Sequence, residues 1–382
     1  MQTEVMEPTL QQGLNEVVMN KVQKMIDGKA VGVQATMERL INEGKIAQDY
    51  IAPLGVNLKA QNRQPVITFA GDQRLMMNMP DGQFSMHDNA ISQIADRMGI
   101  PQRYLRSLAS GETWAVMLAV HMLNEHCNWT ERSRVLVRTV GTQVRGILSD
   151  SYRRLNSVEI LTAFVQEAAG QGAVISDAYM NDTKVWAETI LPTPITIPTK
   201  NNGDVIIFAG ARFSTSDYGD GAVDMRAFML NGACLNGMVR ESIMKQVHLG
   251  SKLPDNLALS QQTYELDTKT TVSAVRDLTK GLFSTDNIRQ KAYEIQGASE
   301  IEVDFDHELK RLTRDGGLLK AEGKEVEKIL MRNNPDDGVQ GGATLWKLTQ
   351  AITAHARECT PERSRELHEL SGSLLSRVKV TA

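Results

Sequence analysis

Arg134-Val-Leu-Val-Arg-Thr-Val140, then Gly141-Thr-Gln143, then Val144-Arg-Gly-Ile-Leu-Ser149 is the stretch whose reading decides the fold. The first run alternates apolar and polar residues, and a glycine-led turn leads into the second, which predicts a β-hairpin. Ser157 to Ala169 then carries Leu161 and Val165 at helical spacing, so strand, strand and helix follow in order. Further strands are expected at 173–180, 184–191, 204–213 and 222–230, with Asp220-Gly221 as a hairpin turn. Hairpin strands flanked by helices read as an α+β fold: an antiparallel β-hairpin sheet crossed by helices, with helical N- and C-terminal extensions. The expected divisions are a helical extension at 1–60, an α+β core at 61–260 and a mainly helical region at 261–382.

Working outward, Leu14, Val17, Val18, Val22 and Ile26 predict a helix that stops at Gly28, with a second over 33–44 ending near Gly44. Strand character begins at Pro65-Val-Ile-Thr-Phe-Ala70, and the apolar run Trp114 to His121 also reads as strand. Between them, Gln93-Ile-Ala-Asp-Arg-Met-Gly-Ile-Pro-Gln-Arg-Tyr-Leu-Arg-Ser-Leu108 predicts a tight helical hairpin. Ala95, Gly99, Ile100, Leu105 and Leu108 occupy the small, turn and core places of a helix-turn-helix, and Gln102, Arg103 and Arg106 would face a DNA groove. Any close helical hairpin needs the same spacing. Past about residue 237 the chain reads as mainly helical, and Thr360-Pro361 opens a last helix to about Arg377.

Composition excludes several classes. The 382 residues are 41% hydrophobic and 23% charged, with a net charge of −4. No apolar window approaches membrane length, so no membrane partner is expected. Three cysteines do not make a disulfide framework, and Met1 to Leu10 lacks an apolar signal core, so a cytoplasmic setting is expected. The charge is unevenly laid out. No lysine stands between Lys59 and Lys184, and the window 97–154 sets nine arginines against four carboxylates. Arginine offers a planar fork that pairs with phosphate and stacks on bases. The same side chains could equally form internal ion pairs, and Glu300 to Glu308 is an opposite, acidic pole. Arg134 and Arg138 sit four residues apart on one strand, roughly 13 Å, about two steps of an extended single strand. At the end of the hairpin Ser149, Asp150, Tyr152, Arg153 and Arg154 gather in one turn.

Enzyme signatures are absent: no nucleophile elbow, no zincin helix, no phosphate loop ending in Lys-Ser or Lys-Thr. His121, His126 and Cys127 do not have zinc spacing. Asp217, Asp220 and Asp224 could gather around a cation, but such loops usually only turn. No catalytic residue, metal or cofactor is expected.

The segment Val144–Asn156 resembles a block of the phage and plasmid proteins grouped as domain-of-unknown-function family 932, with Arg145, Ser149, Asp150, Tyr152, Arg153 and Asn156 in its places. A second similar block is Phe213-Ser-Thr-Ser-Asp-Tyr-Gly-Asp-Gly221, followed by Arg226 and Cys234-Leu-Asn-Gly-Met238. Thr215 and Tyr218 depart there from the family's usual Asn and Val. The third is Thr344-Leu-Trp-Lys-Leu-Thr-Gln-Ala-Ile-Thr-Ala-His-Ala356. The resemblance spans roughly residues 60–375.

Some members of that family distantly resemble the single-strand annealing proteins of phage recombination. The resemblance implies a protein that binds single-stranded DNA and anneals strands as a homo-oligomer, a ring or filament, with no nucleotide. A host single-strand-binding protein is a candidate partner. In that role Arg132, Arg134, Arg138, Arg145, Arg153 and Arg154 would neutralise phosphates, and Tyr152 and Trp129 would stack bases. Arg212, Arg226 and Arg240 are secondary candidates. Two other functions stay open: a phage structural or interaction protein with no affinity for nucleic acid, and a duplex regulator using the hairpin at 88–108.

Overall fold

The computed structural model describes residues 16–54, 67–129, 134–150, 152, 156–232, 234–246 and 260–378. It begins with one long helix, α1 (Glu16–Ile46), where two were expected. Gly28 and Gly32 lie inside α1, with open space where a Cβ would stand. A glycine in a helix interior costs about 1 kcal/mol. Contacts to the rest of the protein offset it: Lys29 Nζ lies 2.9 Å from Asp177, and Arg39 donates to the Met180 carbonyl at 3.2 Å.

The chain then enters a six-stranded sheet. Its members are β1 (Ala47–Pro53), β2 (Thr68–Ala70), β3 (Met76–Met79), β4 (Gly82–Met86), β5 (Arg134–Val140) and β6 (Gln143–Ser149), in the order β1-β5-β6-β4-β3-β2. The hairpin β5–β6 forms where the sequence places it. All pairings are antiparallel except a short parallel contact of β4 with β6. β1 pairs with β5, so this sheet takes a strand from the segment read as a helical extension.

Three helices connect β4 to β5: α2 (Asp88–Met98), α3 (Gln102–Ala109) and α4 (Thr113–Trp129). Gly99 ends α2 in the left-handed region (φ 68°) and donates to the carbonyls of Ala95 and Asp96, a conformation glycine enters at no steric cost. α4 corrects the strand expected at 114–121. Ala115, Ala119, Leu123 and Cys127 are its buried line, four residues apart, which is a helical period. Leu105, Leu108 and this line join Met77, Val135, Val137 and Val144 in the core of the first unit.

After α5 (Ser157–Gly170) comes a five-stranded antiparallel sheet in simple chain order: β7 (Val174–Met180), β8 (Val185–Ile197), β9 (Val205–Thr215), β10 (Val223–Asn231) and β11 (Gly237–Gln246). Four of these match the expected strands. β11 corrects the helical reading past 237. Its pairing with β10 is broken by register irregularities around Met225, Arg226 and Phe228, which obscure a period of two.

Six α-helices complete the described residues: α6 (Gln261–Leu282), α7 (Thr285–Glu300), α8 (Phe305–Arg314), α9 (Lys320–Arg332), α10 (Leu345–Ala356) and α11 (Pro361–Leu374). Thr360 caps α11 and a 3-10 turn carries it on to Arg377, as expected. On β9 the alternate residues part cleanly. Val205, Ile207 and Ala209 pack on the C-terminal helices, and Ala211 and Phe213 pack with α5 and α6. Phe208, on the opposite face, meets Val18 and Val22 of α1. The whole is an α+β protein. No described helix is long and apolar enough to cross a membrane.

Candidate nucleic-acid interface

The arginine band lies mostly inside the molecule. Arg138 has no exposed surface. It faces Asp49 across the β1–β5 register, with Nε and Nη2 at 2.7 and 2.8 Å from the two carboxylate oxygens, and it donates to the Asp217 carbonyl. Its guanidinium lies 5.7 Å from the Tyr152 ring centre. Tyr152 is itself buried with Leu136 and Leu148, which removes it as a base-stacking residue. Arg145 is buried against Glu43 of α1 and donates to the Asp182 carbonyl at 3.0 Å.

These residues form the joint between the two sheets. The loop 216–222 between β9 and β10 seats on β6, held by side chains of α2. Asn89 donates to the carbonyls of Arg145 and Tyr218, and Gln93 donates to Tyr218 while accepting from the Ile147 amide. Gly146 lets the loop approach: a Cβ there would stand 3.2 Å from the Tyr218 carbonyl oxygen. Asp217 accepts from Ser157 at the start of α5 at 2.8 Å. The first two sequence blocks therefore meet each other, and their described arginines, Arg145 and Arg226, neutralise carboxylates of this chain. The second half of block two meets block three in a similar way. Asn231 Nδ2 donates to Gln350 of α10 at 2.9 Å, and Asn236 Nδ2 to the Gln350 carbonyl at 3.3 Å.

The secondary candidates are also occupied. Arg212 is buried against Glu188. Arg240 is buried 2.9 Å from Glu294 and donates to the Gly372 carbonyl. Arg226 holds Asp224 at 2.8 Å and Glu369 at 2.9 Å. Arg138, Arg145, Arg212, Arg226 and Arg240 are thus corrected from phosphate contacts to internal ion pairs. For Arg138, Arg145, Arg212 and Arg240 the cause is common: each is buried opposite a carboxylate on a neighbouring element, and a buried cation must be paired, while the half-buried Arg226 is held between Asp224 and Glu369. Arg132, Arg153 and Arg154 lie outside the described residues. Arg134 and Trp129 remain on the surface. The Arg134 side chain is 56% exposed, 3.7 Å from Asp150, and Trp129 is 76% exposed.

A different exposed face carries unspent arginine. Arg103 and Arg106 stand three residues apart on α3, and Arg74 lies in the turn before β3. Arg74 and Arg106 line a shared hollow of about 160 Å³. All three are exposed, and none makes an ion pair with a described residue. Tyr104 is 50% exposed beside them on α3, and Trp114, 64% exposed, opens α4 after the turn at Gly111. Asp88 at the hollow and Glu112, which accepts from Trp114 Nε1 at 3.2 Å, are carboxylates of this face. Sequence reasoning had Arg103 and Arg106 only as groove readers. It missed Arg74, Tyr104 and Trp114, because a strand at 114–121 would have turned every second residue inward.

Other chemistry finds little footing. Asp217, Asp220 and Asp224 do not converge: Ser157, Thr183 and Arg226 hold them separately. Burial pushes the Cys127 thiol up to about 12 and the Cys234 thiol up to about 11, so neither is a ready nucleophile. Glu322, His355 and Cys359 offer ligand-type atoms within 4.8 Å of one another, but Arg363 already neutralises Glu322 through two contacts of 2.8 and 2.6 Å.

Compared with protein-family models, with curated proteins and with solved structures, the chain matches none.

Proposed function

We propose that this protein binds single-stranded DNA across the exposed face of α3, the turn at Arg74 and the start of α4, and anneals strands as a homo-oligomer without nucleotide. One observation carries the reading. Arg74, Arg103 and Arg106 are exposed and free of ion pairs with described residues, Arg74 and Arg106 share one hollow, and exposed rings stand at Tyr104 on the same helix and at Trp114 at the start of α4. Arg138, Arg145, Arg212, Arg226 and Arg240 are instead paired internally. Arginines beside exposed aromatics suit a single strand, because unpaired bases can stack while phosphates meet guanidiniums; stacking contributes about 1–3 kcal/mol per base. The resemblance of the three sequence blocks to family 932 supports the same class. For assembly, α4 also exposes Met117 and Leu118 next to Trp114.

The α2–α3 hairpin, with its left-handed Gly99 and outward Arg103 and Arg106, favours a second reading, a duplex-groove reader. A fluorescence-polarisation titration of the full chain against a labelled single strand and its duplex separates the two. Preference for the strand, lost in Trp114→Ala, is expected. Preference for the duplex favours the groove reader, and no binding to either at low salt contradicts both. Light scattering on the same sample is expected to give a mass of several chains, and a monomer contradicts annealing by an oligomer.

A further inference from the structure

A second cavity, on the far side of the molecule's larger unit, is unrelated to the face described above. It measures about 260 Å³ and lies where α1 and α11 cover β7 to β10. Its polar wall is unusually rich in cations for a buried site. Arg212 and Arg365 are both buried, Lys29 stands at the rim, and Asp177 and Glu188 are the carboxylates. Glu188 is consumed by Arg212, and Asp177 by Lys29 at 2.9 Å. Arg365 is left over. Its Nη2 is 3.8 Å from the already paired Asp177, its Nη1 donates to the Pro361 carbonyl at 2.9 Å, and its buried Nε has no hydrogen-bond partner. Ser176, also buried and lining the cavity, has an unpartnered Oγ.

His368 adds a donor. Arg212 Nη2 lies 3.0 Å from His368 Nδ1. A guanidinium can only donate, so Nδ1 accepts and Nε2 carries the proton. The opposite wall is apolar, formed by Met25, Phe228, Leu230 and Leu235. The guanidinium of Arg365 lies against the Tyr179–Trp186 ring pair, 4.7 and 5.4 Å from the two ring centres.

We propose that this cavity binds a small organic oxyanion, a phosphate or carboxylate group on a short apolar body, with Arg365, Ser176 and Lys29 as its principal contacts. The oxyanion supplies the acceptor that Arg365 and Ser176 lack, and the apolar body lies on Phe228 and Leu230. Burial and the neighbouring Arg212 charge both depress the Arg365 cation, a cost that a bound anion relieves. A buried donor without a partner is costly, and a buried site with a surplus cation is a site built for a counter-charge.

The test is calorimetric titration of the full chain at constant ionic strength, with inorganic phosphate in one arm and benzoate in the other. One-site saturation is expected in at least one arm, and the stronger arm tells phosphate from carboxylate. Lys29→Met and Arg365→Lys should each weaken that binding about tenfold, as the loss of a charged hydrogen bond does. Lys328→Gln, at an exposed position of α9 that belongs to neither site, should leave it unchanged. Lys29 is at the exposed rim, so its variant reports even if Arg365→Lys does not fold. No saturation with either anion, or saturation that Lys29→Met leaves intact, overturns the proposal.

Discussion

Arg138 reaches Asp49 in the sequence direction least visible to a reader of one chain: across a strand pair formed by residues 89 positions apart. Removing one partner of such a pair leaves a buried charge uncompensated, a cost of about 3–5 kcal/mol. Asp49→Ala strands the fully buried Arg138 in this way, and urea unfolding should show that loss of stability with no change in the salt dependence of DNA binding. A variant of wild-type stability contradicts the assignment. The Glu188–Arg212–His368 cluster yields a pH prediction. Burial by itself raises Glu188, but the Arg212 and Arg365 charges outweigh it and hold the carboxyl lowered to about 2. Its contribution is therefore complete above the ordinary value of 4.5 and lost as pH falls toward 2. Burial first, and then Arg212, push His368 down to about 3. Its neutral form is favoured in the folded protein, so stability is lost from pH 6.5 downward, where the unfolded chain binds the proton first. Both groups act with one sign. The urea midpoint should fall as pH drops below 6.5, and His368→Gln should remove the part of that fall above pH 4.5. A midpoint level from pH 6.5 to 4.5 in the wild type contradicts it.

Among the elements, those with a strong local period were legible and those decided by partners were not. The β5–β6 hairpin, α2, α3, α5 and α11 stand where the sequence places them. α4 was misread because a short apolar run fits a buried strand and a helix alike. α1 continues through two glycines because its contacts to β7 override propensity. It also covers the edge of the second sheet, since β7 is the last strand in the order, and a covered edge cannot recruit another chain. The opposite edge, β11, is covered by α11, and here one glycine is decisive. A Cβ on Gly372 would stand 1.8 Å from the Val239 carbonyl oxygen and 2.5 Å from its carbon. Gly372→Ala must push α11 off β11 and should destabilise the protein by roughly 1–3 kcal/mol in urea unfolding, as overpacking does. Tolerance without loss would show that α11 lies farther from β11 than described.

At the scale of the molecule, the candidate site was half legible. Arginine without lysine over a long window pointed to arginine chemistry, and the same signal could not separate phosphate contacts from internal pairs. Which arginine is buried depends on Asp49, Glu43 and Glu188, residues brought in by the tertiary fold and invisible to spacing. The three sequence blocks turned out to be the two joints of the architecture: sheet to sheet around Asp217, and sheet to helix around Gln350. The exposed arginines of the α3 face lay at the margin of the band. The central claim, that this face holds a strand of DNA, is tested most directly by the salt dependence of single-strand binding in the wild type and in the triple variant Arg74→Gln, Arg103→Gln, Arg106→Gln. Each phosphate contact on a single strand contributes about −0.7 to the slope of log affinity against log salt. The account predicts a slope flatter by about 2 in the triple variant, with folding intact. An unchanged slope in a folded triple variant would contradict it and would take DNA off this face.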